Sequence, residues 1–211
     1  MDIRINAAVQ CTDGPGGHVK CIILNPITQH VTDVVIHEPG LLGSEVIVPI
    51  ALIEQSTPDA LRLRLSRDEL AGMQSFLTTR YRTPSDDFLE AEPWSAYPYN
   101  SIYWSPYLEM QAEQRIMTYE AIPLDELAMR RGDHVEATDG RVGHIDGFVV
   151  DQQSQGITHL LLCEGHLWGA RDVTIPIAGI KDIQEGVVHL KLRKQEVAAL
   201  PAVKVHGWGR T

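Results

Sequence analysis

Two stretches of the chain, at about residues 9–73 and 135–200, alternate short apolar runs with polar turn residues. In the second stretch the apolar runs 145–150 and 157–162 are followed by the period-two sequence VHLKL. Apolar side chains at alternate positions cover one face of a sheet, so this pattern predicts short β-strands joined by tight turns. A sheet without covering helices has edges to protect, so each stretch is predicted to close into a small β-barrel.

The two stretches repeat each other in sequence. The offset between matching residues is 126 at the first turn, from Thr12 to Thr138, and 127 at a proline, from Pro49 to Pro176. The Asp-Gly pair of that turn favours a tight hairpin, because glycine tolerates positive φ and aspartate hydrogen-bonds to nearby backbone. The repeat predicts an internal duplication whose copies pair around a pseudo-twofold axis. The matching positions are Thr12, Asp13, Gly14, Gly17, His18 and Pro49 in the first stretch and Thr138, Asp139, Gly140, Gly143, His144 and Pro176 in the second.

Four motifs mark the second stretch: V-x-x-T-D-G-x-x-G-H at residues 135–144, the strand ITHLLL, the loop GHLWG and the sequence VTIPI. Beyond the repeated positions, they contain Thr158, His159, Gly165, His166, Trp168 and Gly169. With these motifs the chain resembles the PRC-barrel family, whose barrel occurs in the photosynthetic reaction-centre H subunit and in a ribosome maturation factor. The resemblance implies a mainly β fold of two tandem PRC-type barrels, and it implies structural roles for the motif residues.

The resemblance departs from both named proteins. The reaction-centre subunit carries an N-terminal membrane helix, whereas the longest apolar stretch here, around residues 46–53, contains a proline and is too short to span a bilayer. The ribosome maturation factor pairs one such barrel with a different one, whereas both stretches look alike here. Neither role is therefore transferred to this chain, which is most similar to stand-alone tandem PRC-barrel proteins.

A segment rich in proline and aromatic residues separates the two stretches. Flexible linkers are polar and poor in aromatics, so this segment is predicted to be ordered, with residues 108–117 forming a short helix. In the favoured interpretation the segment packs against the protein's own barrels, and in the alternative it binds a partner. The candidate partner-binding residues are Tyr81, Trp94, Tyr97, Tyr99, Tyr103, Trp104 and Tyr107.

These features predict four regions along the chain. Residues 1–78 form the first PRC-barrel-like domain, residues 79–121 the Pro/Tyr/Trp-rich linker, residues 122–205 the second PRC-barrel-like domain and residues 206–211 a C-terminal tail. The linker thus joins two tandem barrels that are related by duplication.

Charge and cysteine content narrow the class of partner and the compartment. The formal net charge is −10 and the pI about 5.3, so an acidic surface repels phosphate backbones and disfavours nucleic acid or anionic membranes. The N-terminus lacks the basic and apolar regions of a signal peptide. Three cysteines without CxxC spacing predict neither a disulfide framework nor a zinc site, so the expected location is the cytoplasm.

The candidate chemistry is sparse. His18 and His144 could act as metal ligands or as a pH switch, but a residue that hydrogen-bonds the adjacent turn is the favoured interpretation. His159 and His166 flank a loop with several charged residues, yet their spacing matches no metal motif. Cys163 has no His–Asp partner order, and no G-x-S-x-G or P-loop spacing occurs. The sequence therefore predicts a protein that is not an enzyme and binds no cofactor.

Small barrels expose edges and loops that suit protein recognition, and two linked units allow bivalent contact. The leading hypothesis is accordingly a protein-binding or assembly module whose partner is another protein or a second copy of the chain. An RNA- or ribosome-associated factor is the alternative, by family analogy only. A sensor of a metal or small molecule, built on the histidine-bearing loops, is the third hypothesis.

Overall fold

The computed structural model describes residues 1–39, 43–57, 59–82, 115–164, 171–200 and 202–203. The fold is mainly β, as predicted. Its first strands are β1 (Asp2–Arg4), β2 (Ala8–Cys11), β3 (Gly14–Asn25), β4 (His30–His37), β5 (Glu45–Pro49), β6 (Ile53–Ser56) and β7 (Ala60–Leu63), followed by helix α1 (Arg67–Ala71). Next come β8 (Leu77–Arg82) and β9 (Arg115–Glu120). The remaining elements are β10 (Leu127–Arg130), β11 (His134–Ala137), β12 (Gly140–Val150), β13 (Ile157–Glu164), β14 (Arg171–Pro176), β15 (Ile180–Gln184), β16 (Val187–Leu190), helix α2 (Lys194–Ala199) and β17 (Ala202–Val203).

The chain divides into two compact units. One consists of Met1–Phe76 together with Ile122–Thr211, and the other is Leu77–Ala121. Both stretches that were predicted to be barrels therefore belong to the same unit, in which residues 1–76 are called the first half and residues from 122 onward the second half.

Each half contains one sheet, and the two sheets have the same strand order. The order is β6-β7-β2-β3-β4-β5 in the first half and β15-β16-β11-β12-β13-β14-β17 in the second. The pairs β2/β7 and β11/β16 are parallel, whereas the other pairs are antiparallel. In place of β17, the first half has an isolated bridge between Val46 and Ser75. The predicted closure of each stretch into its own barrel is not confirmed, because within the described residues each sheet ends at two different strands.

The halves exchange their first strands. β1 pairs with β12 of the second half, and β10 pairs with β3 of the first half. Ile3 lies opposite Phe148, and Met129 lies opposite Ile22, at the same 126-residue offset as the sequence repeat. Along one edge, β3 pairs with β4 and β12 pairs with β13, which belong to the same half. Along part of the other edge, β3 pairs with β10 and β12 pairs with β1, which come from the other half.

A second contact between the halves is also symmetric. The backbone N–H of Val31 donates to the carbonyl oxygen of Gln155 at 3.2 Å, and that of Ile157 donates to the carbonyl oxygen of Gln29 at 2.8 Å. Gln29 and Gln155 both have positive φ, of 56° and 60°, so the two turns adopt the same unusual backbone conformation. The halves therefore contact each other through equivalent surfaces.

One continuous hydrophobic core fills the unit that contains both halves. It is built by alternation in short strands such as β2 and by apolar runs that are buried on both faces in β3, β4 and β13. Ile3 and Met129, at the centres of the exchanged strands, are both completely buried. At about 25 cal/mol for each Å² of apolar surface, this shared burial is the main stabilising contribution that the halves make to each other.

The second unit contains a two-stranded antiparallel ribbon, formed by β8 and β9. Its register runs from Leu77 opposite Glu120 to Arg82 opposite Arg115. The helix predicted for residues 108–117 is wrong at its C-terminal end, because Arg115 already belongs to β9. Cross-strand pairing with β8 overrides the local helix propensity there.

Candidate functional site

The repeated Thr-Asp-Gly turns fix the helix that closes each half. Asp13 Oδ1 accepts a hydrogen bond from the backbone N–H of Arg67, and Asp139 Oδ1 accepts one from that of Lys194, both at 2.9 Å. The backbone N–H groups of Thr12 and Thr138 donate to Leu65 and Leu192, again at 2.9 Å in both halves. Gly14 and Gly140 have φ of 153° and 121°, which favours glycine. The geometry gives these turns a structural role.

Gly17 and Gly143 permit two strands to approach closely. A Cβ on Gly17 would lie 2.0 Å from the carbonyl oxygen of His37, and one on Gly143 would lie 2.4 Å from that of Cys163. No side chain fits at such distances, so glycine is needed for β3 to pair with β4 and for β12 to pair with β13.

Thr158 and the two repeated prolines also support strands. Thr158 Oγ1 donates to the carbonyl oxygen of Val149 at 3.0 Å, and its ring neighbour His159 contacts the same hydroxyl through Nδ1 at 3.1 Å. Pro49 and Pro176 end β5 and β14 and precede short 3-10 turns, Ile50–Leu52 and Ile177–Gly179. Because proline has no N–H group to donate, the end of a strand suits it.

His18 belongs to a row of polar side chains that crosses β3, β4 and β5. His18 lies opposite His37, with ring centroids 5.0 Å apart, and His37 lies opposite Glu45, with Nδ1 and Oε1 at 3.6 Å. Lys20 donates to the same Oε1. Glu45 Oε2 is buried and has no hydrogen-bond partner among the residues that the structure describes. These four residues are called the histidine row.

Electrostatics in the histidine row disfavour the protonated form of His18. Burial by the surrounding residues lowers the pKa of His18, and the nearby His37 lowers it further. In the second half Cys163 takes the place of His37 opposite His144, and the imidazole that lies opposite His144 is that of His134 on β11, where the first half has Ala8. The row was missed in the sequence because its other members, Lys20, His37 and Glu45, are not repeated residues; only the strand register brings them together.

The side chains of the histidine row are not arranged as a metal centre. Among the described residues no group of three or more histidine, cysteine, aspartate or glutamate side chains is arranged to hold a metal ion. The loop residues Gly165, His166, Trp168 and Gly169, which were singled out by the family resemblance, lie outside the described residues.

The ribbon carries the only described part of the aromatic segment. Tyr81 is paired in β8 with Ile116 of β9. Every ribbon position with a described exposure is exposed, including Leu77 at 39% and Tyr119 at 44%. The remaining candidate residues, Trp94, Tyr97, Tyr99, Tyr103, Trp104 and Tyr107, lie outside the described residues.

The ribbon holds the two ends of the aromatic segment side by side. Arg82 and Arg115 are opposite each other in the register, and the sequence between them contains all the candidate aromatic residues except Tyr81. The chain therefore leaves and returns at one place, which differs from a linker that runs from one domain to the next.

Comparison with known proteins does not assign a family. Neither the protein-family models nor the curated proteins contain a match to this chain. Across the ranges that the structure describes, no helix has the length and apolar character needed to cross a membrane.

Proposed function

We propose that this protein is a non-enzymatic protein-binding or assembly module of the cytoplasm, in which the ribbon and the aromatic segment it closes form the binding element. The observation that carries the proposal is the exposure of Leu77 and Tyr119 on a sheet of only two strands. An isolated two-stranded ribbon is marginally stable in water, so it gains stability when another surface covers it. Tyrosine and tryptophan, which are concentrated between its ends, dominate the energetics of protein interfaces.

The proposal extends to the origin of the scaffold. We infer that the two halves are copies of one PRC-barrel-type unit that were fused by duplication. Three observations support this inference: the sheets share one strand order, β3 and β12 shift register at equivalent points, between Val19/Cys21 and Ile145/Gly147, and the exchanged strands pair at equivalent positions. In this proposal the fused halves form the scaffold through their shared core, and the segment between them carries the binding residues.

Charge favours a protein over a nucleic acid as the partner. At a net charge of −10, the surface repels phosphates, and binding to RNA would need a local basic region to overcome that repulsion. Protein contacts that bury aromatic side chains depend much less on ionic strength than phosphate contacts do. The salt dependence of binding therefore separates this proposal from the ribosome-associated alternative.

The test is a capture experiment with the full chain and native lysate, followed by reconstitution with the purified partner. Replacing Leu77 and Tyr119 together by serine, or Trp94 and Trp104 together by alanine, is expected to abolish association at physiological salt and to leave the melting temperature of the core unchanged. Ile27→Ser is the matched control, because Ile27 is an exposed apolar residue, at 84%, in the other unit.

Two outcomes would contradict the proposal. Unchanged association in both double variants would exclude the ribbon and its aromatic segment as the binding element. Association that is strong at low salt and vanishes at physiological salt, with RNA in the captured material, would instead support the nucleic-acid alternative.

A further inference from the structure

A cavity of about 400 Å³ lies in the first half, between the Thr-Asp-Gly turn, the end of β4 and helix α1. Its walls carry the carboxylates of Asp13, Glu38 and Asp68 and the guanidinium of Arg67, while the exposed residues Pro15, Pro39 and Ala71 contribute apolar surface. Cavities of this size hold ligands of a few to a few tens of atoms. It belongs to neither the ribbon nor the histidine row.

Hydrogen bonds hold the charged walls in place. Asp13 is tied to the start of α1 through the backbone N–H of Arg67 at 2.9 Å. Glu38 accepts a hydrogen bond from the hydroxyl of Ser44 across the β4–β5 connection. The helix itself begins with a capping box, in which Ser66 and Glu69 satisfy each other's backbone N–H groups. The cavity is therefore preformed, which reduces the entropy that a ligand loses on binding.

The cavity has an acidic excess, with three carboxylates against one guanidinium. The effect extends to the buried thiol beneath it. Burial raises the pKa of Cys11, the nearby carboxylates of Asp13 and Glu38 raise it further, and Arg67 opposes them. A negative potential beside apolar surface favours a ligand that is positively charged at one end and aliphatic elsewhere.

The second half lacks this acidic excess at the corresponding positions. Arg141 occurs in place of Pro15, which lines the cavity, and Gln195 occurs in place of Asp68. Lys194 conserves the positive charge of Arg67, and Asp139 conserves the turn carboxylate. The turn that builds the helix contact is thus common to both halves, whereas the charge that would select a cation is specific to the first half.

We propose that the cavity in the first half binds an organic cation, an ammonium or guanidinium group carried on a short aliphatic stem. The carboxylates bind the cationic group, and Pro15, Pro39 and Ala71 contact the stem. Two sources carry this chemistry: a free amine, or a lysine or arginine side chain of a partner peptide. The proposal goes beyond protein binding by the ribbon and does not depend on it.

The probes are agmatine, which carries a guanidinium and an ammonium on a four-carbon stem, and the peptide acetyl-Gly-Arg-Gly-amide. Each is titrated into the full chain by isothermal calorimetry and by NMR. Saturable binding of at least one probe is expected, and the neutral analogue butylurea is expected to bind at least about tenfold more weakly, because it lacks the positive charge that the carboxylates attract. Binding of agmatine indicates a free amine, whereas binding of the peptide alone indicates a protein side chain.

Two variants localise the binding to the cavity. Ala71→Phe fills it from its exposed wall, and Asp68→Gln introduces the residue of the second half. Both are expected to abolish or strongly weaken binding while leaving the melting temperature unchanged. Ala198→Phe, at the corresponding exposed position of α2, is the control and is expected to bind normally.

The proposal is overturned by any of three results. Neither probe shows saturable binding, butylurea binds as well as agmatine, or Ala71→Phe binds as well as Ala198→Phe. Because all of the altered side chains are exposed, melting curves show directly whether a loss of binding arises from unfolding.

Discussion

The two halves of the core make the same hydrogen bonds at their Thr-Asp-Gly turns, but the polar side chains on the outer face of their strands form different ion pairs. Asp13 accepts a hydrogen bond from the first N–H group of helix α1, and Asp139 accepts one from that of helix α2, both at 2.9 Å. By contrast, Lys20 binds Glu45 within its own half, whereas its counterpart Asp146 binds Arg4, which belongs to the other half. Turn and core positions thus maintain a shared fold, and the positions that differ supply contacts that only one half makes.

The difference also separates structure from candidate chemistry. His37, in the histidine row, corresponds to Cys163, and Asp68, in the cavity, corresponds to Gln195. A residue that recurs in both halves is explained by the fold, as the glycines that allow close strand pairing show. A polar residue that does not recur is a better candidate for a specific function.

The largest effect is expected from a charge in the shared core. Leu190→Asp and its counterpart Leu63→Asp each place a carboxylate at a position that is at most 2% exposed. Each is expected to destabilise the protein by several kcal/mol, on the order of 3–5, because the buried charge has no partner. Since the core is continuous, either variant should lose both sheets in a single transition by circular dichroism.

If either variant melts within about two degrees of the wild-type protein, the strand that carries the leucine faces water. Two separate transitions, with one sheet retained, would mean that the halves fold independently and do not share a core.

A smaller effect is expected from the ion pair that joins the halves. Arg4 Nη1 and Asp146 Oδ2 are 2.9 Å apart, and the Arg4 side chain is only 9% exposed. Asp146→Asn should cost about 1–3 kcal/mol, because a buried guanidinium loses its charged partner. Asp182→Asn is the control: it removes an exposed carboxylate near His189 and should cost less than about 0.5 kcal/mol in urea unfolding. Equal effects of the two variants would contradict a special role for the pair between the halves.

The smallest effect concerns pH and the histidine row. The pKa of His18 is lowered by burial and by His37, so the unfolded chain takes up this proton first as the pH falls. The contribution to stability is therefore fully present above pH 6.5, the unperturbed pKa, and is lost as the pH falls through the window below it. His18→Gln should flatten this part of the stability profile, measured by unfolding at several pH values.

His144→Ala is the control variant for the pH dependence of stability that is measured with His18→Gln. His144 lies opposite Cys163 of β13 and opposite His134 of β11, so the residue at the position of His37 is a cysteine. It should be nearly silent in stability and leave the pH dependence unchanged. A steeper loss of stability in His144→Ala than in His18→Gln would contradict the assignment of the pH dependence to the histidine row.

Repeated local features were predictable from the sequence. The Thr-Asp-Gly turns and the period-two strand that contains Leu190 each have a local physical cause that a single sequence displays. The mainly β fold follows from them. The histidine row could not be found in this way, because Lys20, His37 and Glu45 come together only through strand register.

The exchange of β1 and β10 between the halves could not be predicted from the sequence either. The free edges of β3 and β12 are almost equivalent, because they belong to repeated strands, so local pattern does not say which edge each first strand takes. Pairing between β8 and β9 is similarly hidden, since more than thirty residues separate Arg82 from Arg115. Both the strand exchange and the ribbon depend on pairing between residues that are far apart in sequence, whereas hydrophobic periodicity reports only local structure.

The central claim is that each half is completed by a strand from the other. Hydrogen exchange of a chain that begins at Ile5, behind an initiator methionine, tests it most directly. The account predicts that removing β1 lowers the protection of Phe148 and Val150, whose N–H groups face β1, and leaves Cys21–Leu24, which are paired with β10, protected. Loss of protection in Cys21–Leu24 with β12 unchanged would show that β1 pairs within its own half and would contradict the exchange.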